Sequence, residues 1–138
     1  MNDEQVQLEL TVPSTAENIP LVRHAVAGFL DGHALPDELA SDVLLAVTEA
    51  CTNVVQHAYR GSSPAGGEIE VRAEYLSSEL TIAVRDRGLG FAPRVDSPGL
   101  GLGLPVIAAL THNVEIRPFP PSGTEVVMTF TLESTIQP

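Results

Sequence analysis

The sequence has no lysine at all. That absence removes three chemistries together: a P-loop needs its lysine on the phosphates, Schiff-base catalysis needs a lysine amine, and Ser-Lys dyads need a lysine base. A nucleotide held by this chain is therefore held without a P-loop. One cysteine, Cys51, excludes an internal disulfide framework. Positive charge is scarce, with seven arginines against 18 acids and a net charge of -11. Such a balance repels a phosphate backbone and argues against nucleic-acid binding. No apolar run approaches the ~20 residues that span a bilayer. The opening MNDEQVQ carries acidic but no basic residues, unlike a secretory signal. A cytoplasmic protein with no membrane partner is expected.

What is present describes a globular chain. Hydrophobic residues make up 43% and charged residues 18%, which argues against disorder, and 138 residues fit one domain, 1–138, able to bury a single core. Val6, Leu8, Leu10 and Val12 alternate, predicting a strand over 5–12 that Pro13 stops. Ser14 and Glu17 have capping-box spacing before a helical pattern running to about Leu30. Gly32 and Pro36 mark a turn, and residues 36–59 form the longest periodic segment. Strands at Glu68–Leu76 and Glu79–Arg85 flank Ser77-Ser78 and read as an antiparallel hairpin. A short helix over 102–111, a strand over 113–117, a turn at Pro118, Pro120, Pro121 and Gly123, and a strand over 124–132 complete the order β-α-α-β-β-α-β-β. The expected fold is a two-layer α/β (α+β) sandwich, with a mixed, mostly antiparallel sheet covered on one face by helices.

Three segments carry candidate chemistry. In the long helix, Val43, Val47, Ala50, Cys51, Val54 and Ala58 share one stripe at ~100° per residue. Glu49, Asn53 and His57 form a second row on its flank. That row is either a solvated helix flank or the edge of a cleft. Cys51 lies on the core stripe and reads as a small apolar filler; His57 reads as structural. Next, the strand Leu80–Arg85 runs into Asp86, Gly88 and Gly90. A carboxylate at a strand end can accept from an exocyclic amine such as that of adenine, and glycines let backbone approach a ligand; an ordinary Asp-Gly turn has the same sequence. Finally, Gly99, Gly101 and Gly103 alternate with leucines before a helix at Leu104. Backbone of this kind offers N–H donors to a phosphate, and a plain flexible loop is the alternative. The spacing does not match G-x-G-x-x-G.

Taken in order, Glu-x-x-x-Asn on a helix, Asp-x-Gly-x-Gly after a strand, Gly-x-Gly before a helix and Gly123-Thr124 opening the last strand make a specific combination. The sequence resembles the GHKL (Bergerat-type) ATPase superfamily, and within it the small bacterial anti-sigma serine/threonine kinases. The resemblance runs from about Leu8 to Phe130. Its closest stretches are Glu49–Tyr59, Val84–Gly90 and Gly101–Leu104.

The resemblance implies the Bergerat fold, ATP with Mg²⁺, and a role for each matching residue. Asn53 would coordinate Mg²⁺, an ion that takes oxygen ligands and commonly few protein groups beside phosphates. Glu49 would be the general base. Asp86 would read the adenine amine with help from Thr124, and Gly88 and Gly90 would admit adenine and ribose. Residues 91–103 would form a lid, with Gly101, Gly103 and Leu104 at the phosphates and Arg94 as the lid's one cation. The implied reaction moves the γ-phosphoryl group of ATP to a serine or threonine of an anti-anti-sigma (STAS-domain) protein. A sigma factor would be the competing partner, and the domain would be a homodimer.

Two rival readings use the same residues. A non-catalytic module could bind ATP only to order its lid while sequestering a protein, and Glu49 discriminates against it. A detached histidine-kinase catalytic domain needs a phosphoaccepting histidine upstream; His24 is the candidate, but it lacks the acidic residue that normally follows. A metal site built from His24, His33, His57 and His112 is discarded, since their spacing matches no common ligand pattern.

Overall fold

A computed structural model of the chain describes residues 7–33, 35–59, 66–88 and 103–132. Five strands form one sheet: β1 (Leu8–Pro13), β2 (Glu68–Leu76), β3 (Glu79–Asp86), β4 (Asn113–Pro118) and β5 (Thr124–Thr131). Their order across the sheet is β1-β2-β3-β5-β4. Every pairing is antiparallel, so the expected mostly antiparallel sheet has no parallel member among the described strands. The β2–β3 hairpin turns at Ser77, whose φ is 56°.

Side chains alternate between faces along a strand. Ile69, Val71 and Ala73 of β2, Leu80, Ile82 and Val84 of β3, and Val126, Met128 and Phe130 of β5 accordingly share one buried face. Three helices cover it: α1 (Ile19–Asp31), α2 (Asp37–Asn53) and α3 (Gly103–Leu110). Each contributes its helical stripe: Val22, Val26 and Leu30 from α1, Val43, Ala46, Val47, Ala50 and Cys51 from α2, and Ile107 from α3. Full burial of a side chain of this size stabilises by roughly 1.5–3 kcal/mol, so this layer holds the helices on the sheet. The opposite sheet face is polar, with Arg85 paired to Glu125 at 2.8 Å and Arg72 to Glu9 at 3.7 Å.

Two local expectations are corrected. Ser14 and Glu17 do not form a capping box. A 3₁₀ turn at Ala16–Asn18 precedes α1, no side chain caps either N-terminus, and the Ser14 N–H donates instead to the Gly67 carbonyl at 2.8 Å. Asn18 fastens the entry, its Nδ2 donating to the Pro13 carbonyl at 3.1 Å and to Thr15 Oγ1 at 3.0 Å. The long helix is also not uniform to residue 59. It is α-helical to Asn53 and continues as one π turn, Val54–Ala58. A wider turn shifts the angular phase of the residues within it, so His57 does not simply extend the Glu49–Asn53 row. Such turns often occur at functional sites.

Candidate active site

Asp86 is the centre of the arrangement. It ends β3 on the helix-facing side, because it continues the alternation of Leu80, Ile82 and Val84, and it is only 4% exposed. Burial pushes its carboxyl pKa above the ordinary carboxylate range. Backbone N–H groups of Gly88 and Thr124 oppose that shift, the Gly88 N–H donating to Oδ1 at 2.9 Å. Thr124 stands directly across the ladder from Asp86, so both side chains lie on the same face of the sheet. Thr124 is itself buried.

The helix layer supplies the facing wall. Asn53, Val54, His57 and Ala58 line a cavity of about 10 Å³, together with Ala50 from α2 and Val84, Asp86, Thr124 and Val126 from the sheet. That volume holds about one water molecule. The predicted residues Asn53, Asp86 and Thr124 are thus brought together. Glu49 lies one turn before Asn53, half-buried, and is not on this wall. Gly103 begins α3, and Leu104 packs partly buried against the core. Gly90, Gly101, Arg94 and all of the predicted lid over 91–103 except Gly103 lie outside the described residues.

Two glycines are required by close backbone approach. A Cβ at Gly88 would collide with the Ala58 carbonyl, so the Asp86–Gly88 segment lies directly on the end of the π turn. At Gly123 φ is 124°, and a Cβ would strike the Asp86 carbonyl. The sequence motif thus serves the packing of this corner as well as any ligand. Tyr59 ends the Glu49–Tyr59 stretch without any role read from the sequence, yet it ties the corner together. Its hydroxyl donates to the Glu68 carbonyl at 2.7 Å and accepts from the Arg87 N–H at 2.9 Å. A lone tyrosine after a helix has no spacing pattern that could have revealed this.

Larger hollows exist elsewhere. One of about 330 Å³ crosses the outer sheet face among Arg72, Arg85, Arg117 and Glu125, and one of about 500 Å³ lies beside Tyr59, Gly66 and Arg87. Both are open, and neither is walled by a buried carboxylate facing a helix amide. Size alone does not outweigh the chemistry at Asp86. Cys51 is fully buried and its thiol is pushed up to about 12 by burial, which makes it an inert core side chain. Among the described residues, no three His, Cys, Asp or Glu side chains come together to hold a metal. No helix among them is long and apolar enough to cross a membrane.

Fold and site together define an antiparallel α/β sandwich whose candidate site lies between the end of α2 and the paired ends of β3 and β5. A sequence model of the histidine kinase-like ATPase domain matches residues 12–130, and the chain belongs to that family. Similar curated proteins include serine-protein kinase RsbW of Bacillus pumilus (strain SAFR-032), 31% identical over 94% of this chain and 88% of the relative. Serine-protein kinase RsbW of Bacillus thuringiensis (strain Al Hakam) is 30% identical over 80% of this chain and 76% of its own length. Two solved structures share the fold. The crystal structure of the RsbU and RsbW domains of Rv1364c from Mycobacterium tuberculosis superposes with a TM-score of 0.68 at 23% identity, covering 91% of this chain and 31% of that longer one. The NMR structure of the histidine kinase domain of the E. coli osmosensor EnvZ gives a TM-score of 0.50 at 16% identity, covering 98% and 94%.

Proposed function

We propose that the chain is an ATP-dependent protein serine/threonine kinase acting as an anti-sigma factor. The observation that carries this reading is the buried Asp86 carboxylate opposite Thr124, sharing with Asn53 a small, mostly apolar cavity. Its chemistry fits adenine: a carboxylate held in apolar surroundings makes a strong acceptor for an amine donor.

Asp86 binds the adenine amine with Thr124 in support, while Gly88 and Gly90 let backbone approach the base and ribose. The Asn53 amide oxygen would hold Mg²⁺, an ion whose preference for oxygen and for phosphate co-ligands suits a site with one neutral protein ligand. Held by Asn53, such an ion would supply neutralisation of phosphate charge. Gly103 and Leu104 open α3 at the phosphate end, with Gly101 two residues earlier in the sequence. Glu49 accepts the proton of the attacking serine or threonine hydroxyl. A bond forms from that oxygen to the γ-phosphorus, the bond from the γ-phosphorus to the bridging oxygen breaks, and ADP leaves.

The protein substrate is an anti-anti-sigma (STAS-domain) protein, and the sequestered partner is a sigma factor. The kinase works as a cytoplasmic homodimer. Phosphorylation adds about -1.5 to -2 to the antagonist, which opposes its docking on a chain of net charge -11. The alternative is a non-catalytic module that binds ATP and sequesters a protein, and Glu49 is the residue that discriminates against it. A pull-down from the native cell in ATP and in ADP tests the regulatory role: recovery of a sigma factor or an antagonist domain is expected, and recovery of neither overturns it.

A further inference from the structure

We infer that Tyr59 is a positioning residue for nucleobase recognition, acting through the backbone of Arg87. The inference rests on the reading of Asp86 as the adenine acceptor. Arg87 lies between Asp86 and Gly88, and its backbone is fixed on both sides. Its N–H donates to the Tyr59 hydroxyl at 2.9 Å, and its carbonyl accepts from Ser122 Oγ at 3.4 Å. Its side chain is held as well, with Nε on Glu70 at 2.9 Å and the guanidinium 4.8 Å from the Phe119 ring centroid.

Of these anchors, Tyr59 alone connects the segment to the helix layer. It follows the π turn whose residues line the cavity, and Gly67 lies close against its ring. The same hydroxyl also donates to the Glu68 carbonyl at 2.7 Å. One oxygen therefore joins the end of the π turn, the start of β2 and the exit of β3. The Gly88 N–H that holds Asp86 Oδ1 is the next peptide along, so the aim of the carboxylate depends on where this segment sits. Aiming matters because a hydrogen bond weakens steeply as its angle departs from linearity.

The test uses the full chain and compares two probes, ATP and purine riboside triphosphate, which lacks the 6-amino group. Their affinity ratio is unaffected by the fraction of protein folded or by contacts to phosphate. Wild type should prefer ATP by about tenfold or more, and Tyr59→Phe, which removes only the hydroxyl, should reduce that preference by about three- to tenfold. Binding of the purine analogue should stay within about twofold. Asp86→Asn, run in parallel, should also lose the preference. If Asp86→Asn loses it while Tyr59→Phe keeps it, the inference about Tyr59 is overturned and the nucleotide reading stands. If neither variant loses it, both are overturned.

Discussion

Replacing Asp86 by asparagine separates the binding role of the carboxylate from its structural cost. Asp86 is 4% exposed and its pKa is raised by burial, so its charged form is disfavoured in the native state. The sign follows from linkage: a carboxyl whose folded pKa exceeds its unfolded value of 3.8 costs stability at neutral pH. That cost is relieved as the pH falls through the folded pKa toward 3.8. Asparagine carries no such cost, but it keeps only one oxygen for the Gly88 and Thr124 N–H groups, a loss of about 1 kcal/mol. The two effects oppose, so the unliganded variant should lie within about 1 kcal/mol of wild type near pH 7. Acidification toward the carboxylate range should shift the difference in favour of wild type. Binding should respond far more. An amine-to-carboxylate hydrogen bond contributes about 1.5–3 kcal/mol, and the asparagine amide would turn a donor toward a donor. Calorimetry should therefore give ATP affinity weakened about 10- to 100-fold. Unchanged affinity would refute the pocket assignment. A loss of several kcal/mol in urea unfolding would show that the carboxylate is there for the fold instead.

Three further outcomes test the surrounding structure. Gly88→Ala places a methyl group against the Ala58 carbonyl, so it should cost about 1–3 kcal/mol in urea unfolding and weaken ATP binding with it; wild-type values for both would contradict the close approach. Ile107→Ala empties a fully buried site under α3 and should cost about 2–5 kcal/mol, whereas a loss below about 1 kcal/mol would mean that α3 is not docked there. The Cys51 thiol, pushed up to about 12, should not react with a disulfide reagent at pH 8 until the protein is unfolded in urea, and prompt native-state labelling would contradict its burial.

Much of the fold is legible in the sequence because its elements carry strong periodicity. The alternation at Leu80, Ile82 and Val84 marks β3, and the stripe from Val43 to Cys51 marks the buried side of α2. Neighbour relations across the sheet are not legible in the same way. That Asp86 faces Thr124 depends on β5 inserting between β3 and β4, a long-range pairing that no local pattern encodes. The π turn at Val54–Ala58 is invisible to a helical wheel, which assumes one pitch throughout. Ser14 and Glu17 have the spacing of a cap, but the Ser14 backbone is committed to Gly67, and tertiary pairing overrides the local signal. Of the site, residue types and order point to Asn53, Asp86 and Thr124. The tie made by Tyr59 emerges only from contacts between segments distant in sequence.

The central claim is phosphoryl transfer with Glu49 as base, and the most direct measurement is ³²P transfer from γ-labelled ATP to the partner recovered by pull-down. The proposed function predicts labelling of that partner on serine or threonine by wild type. Glu49→Ala should label it at least about 100-fold more slowly while binding ATP within about threefold of wild type. Equal labelling by both proteins would remove Glu49 as the base, and no labelling by wild type with the partner bound would contradict the kinase reading.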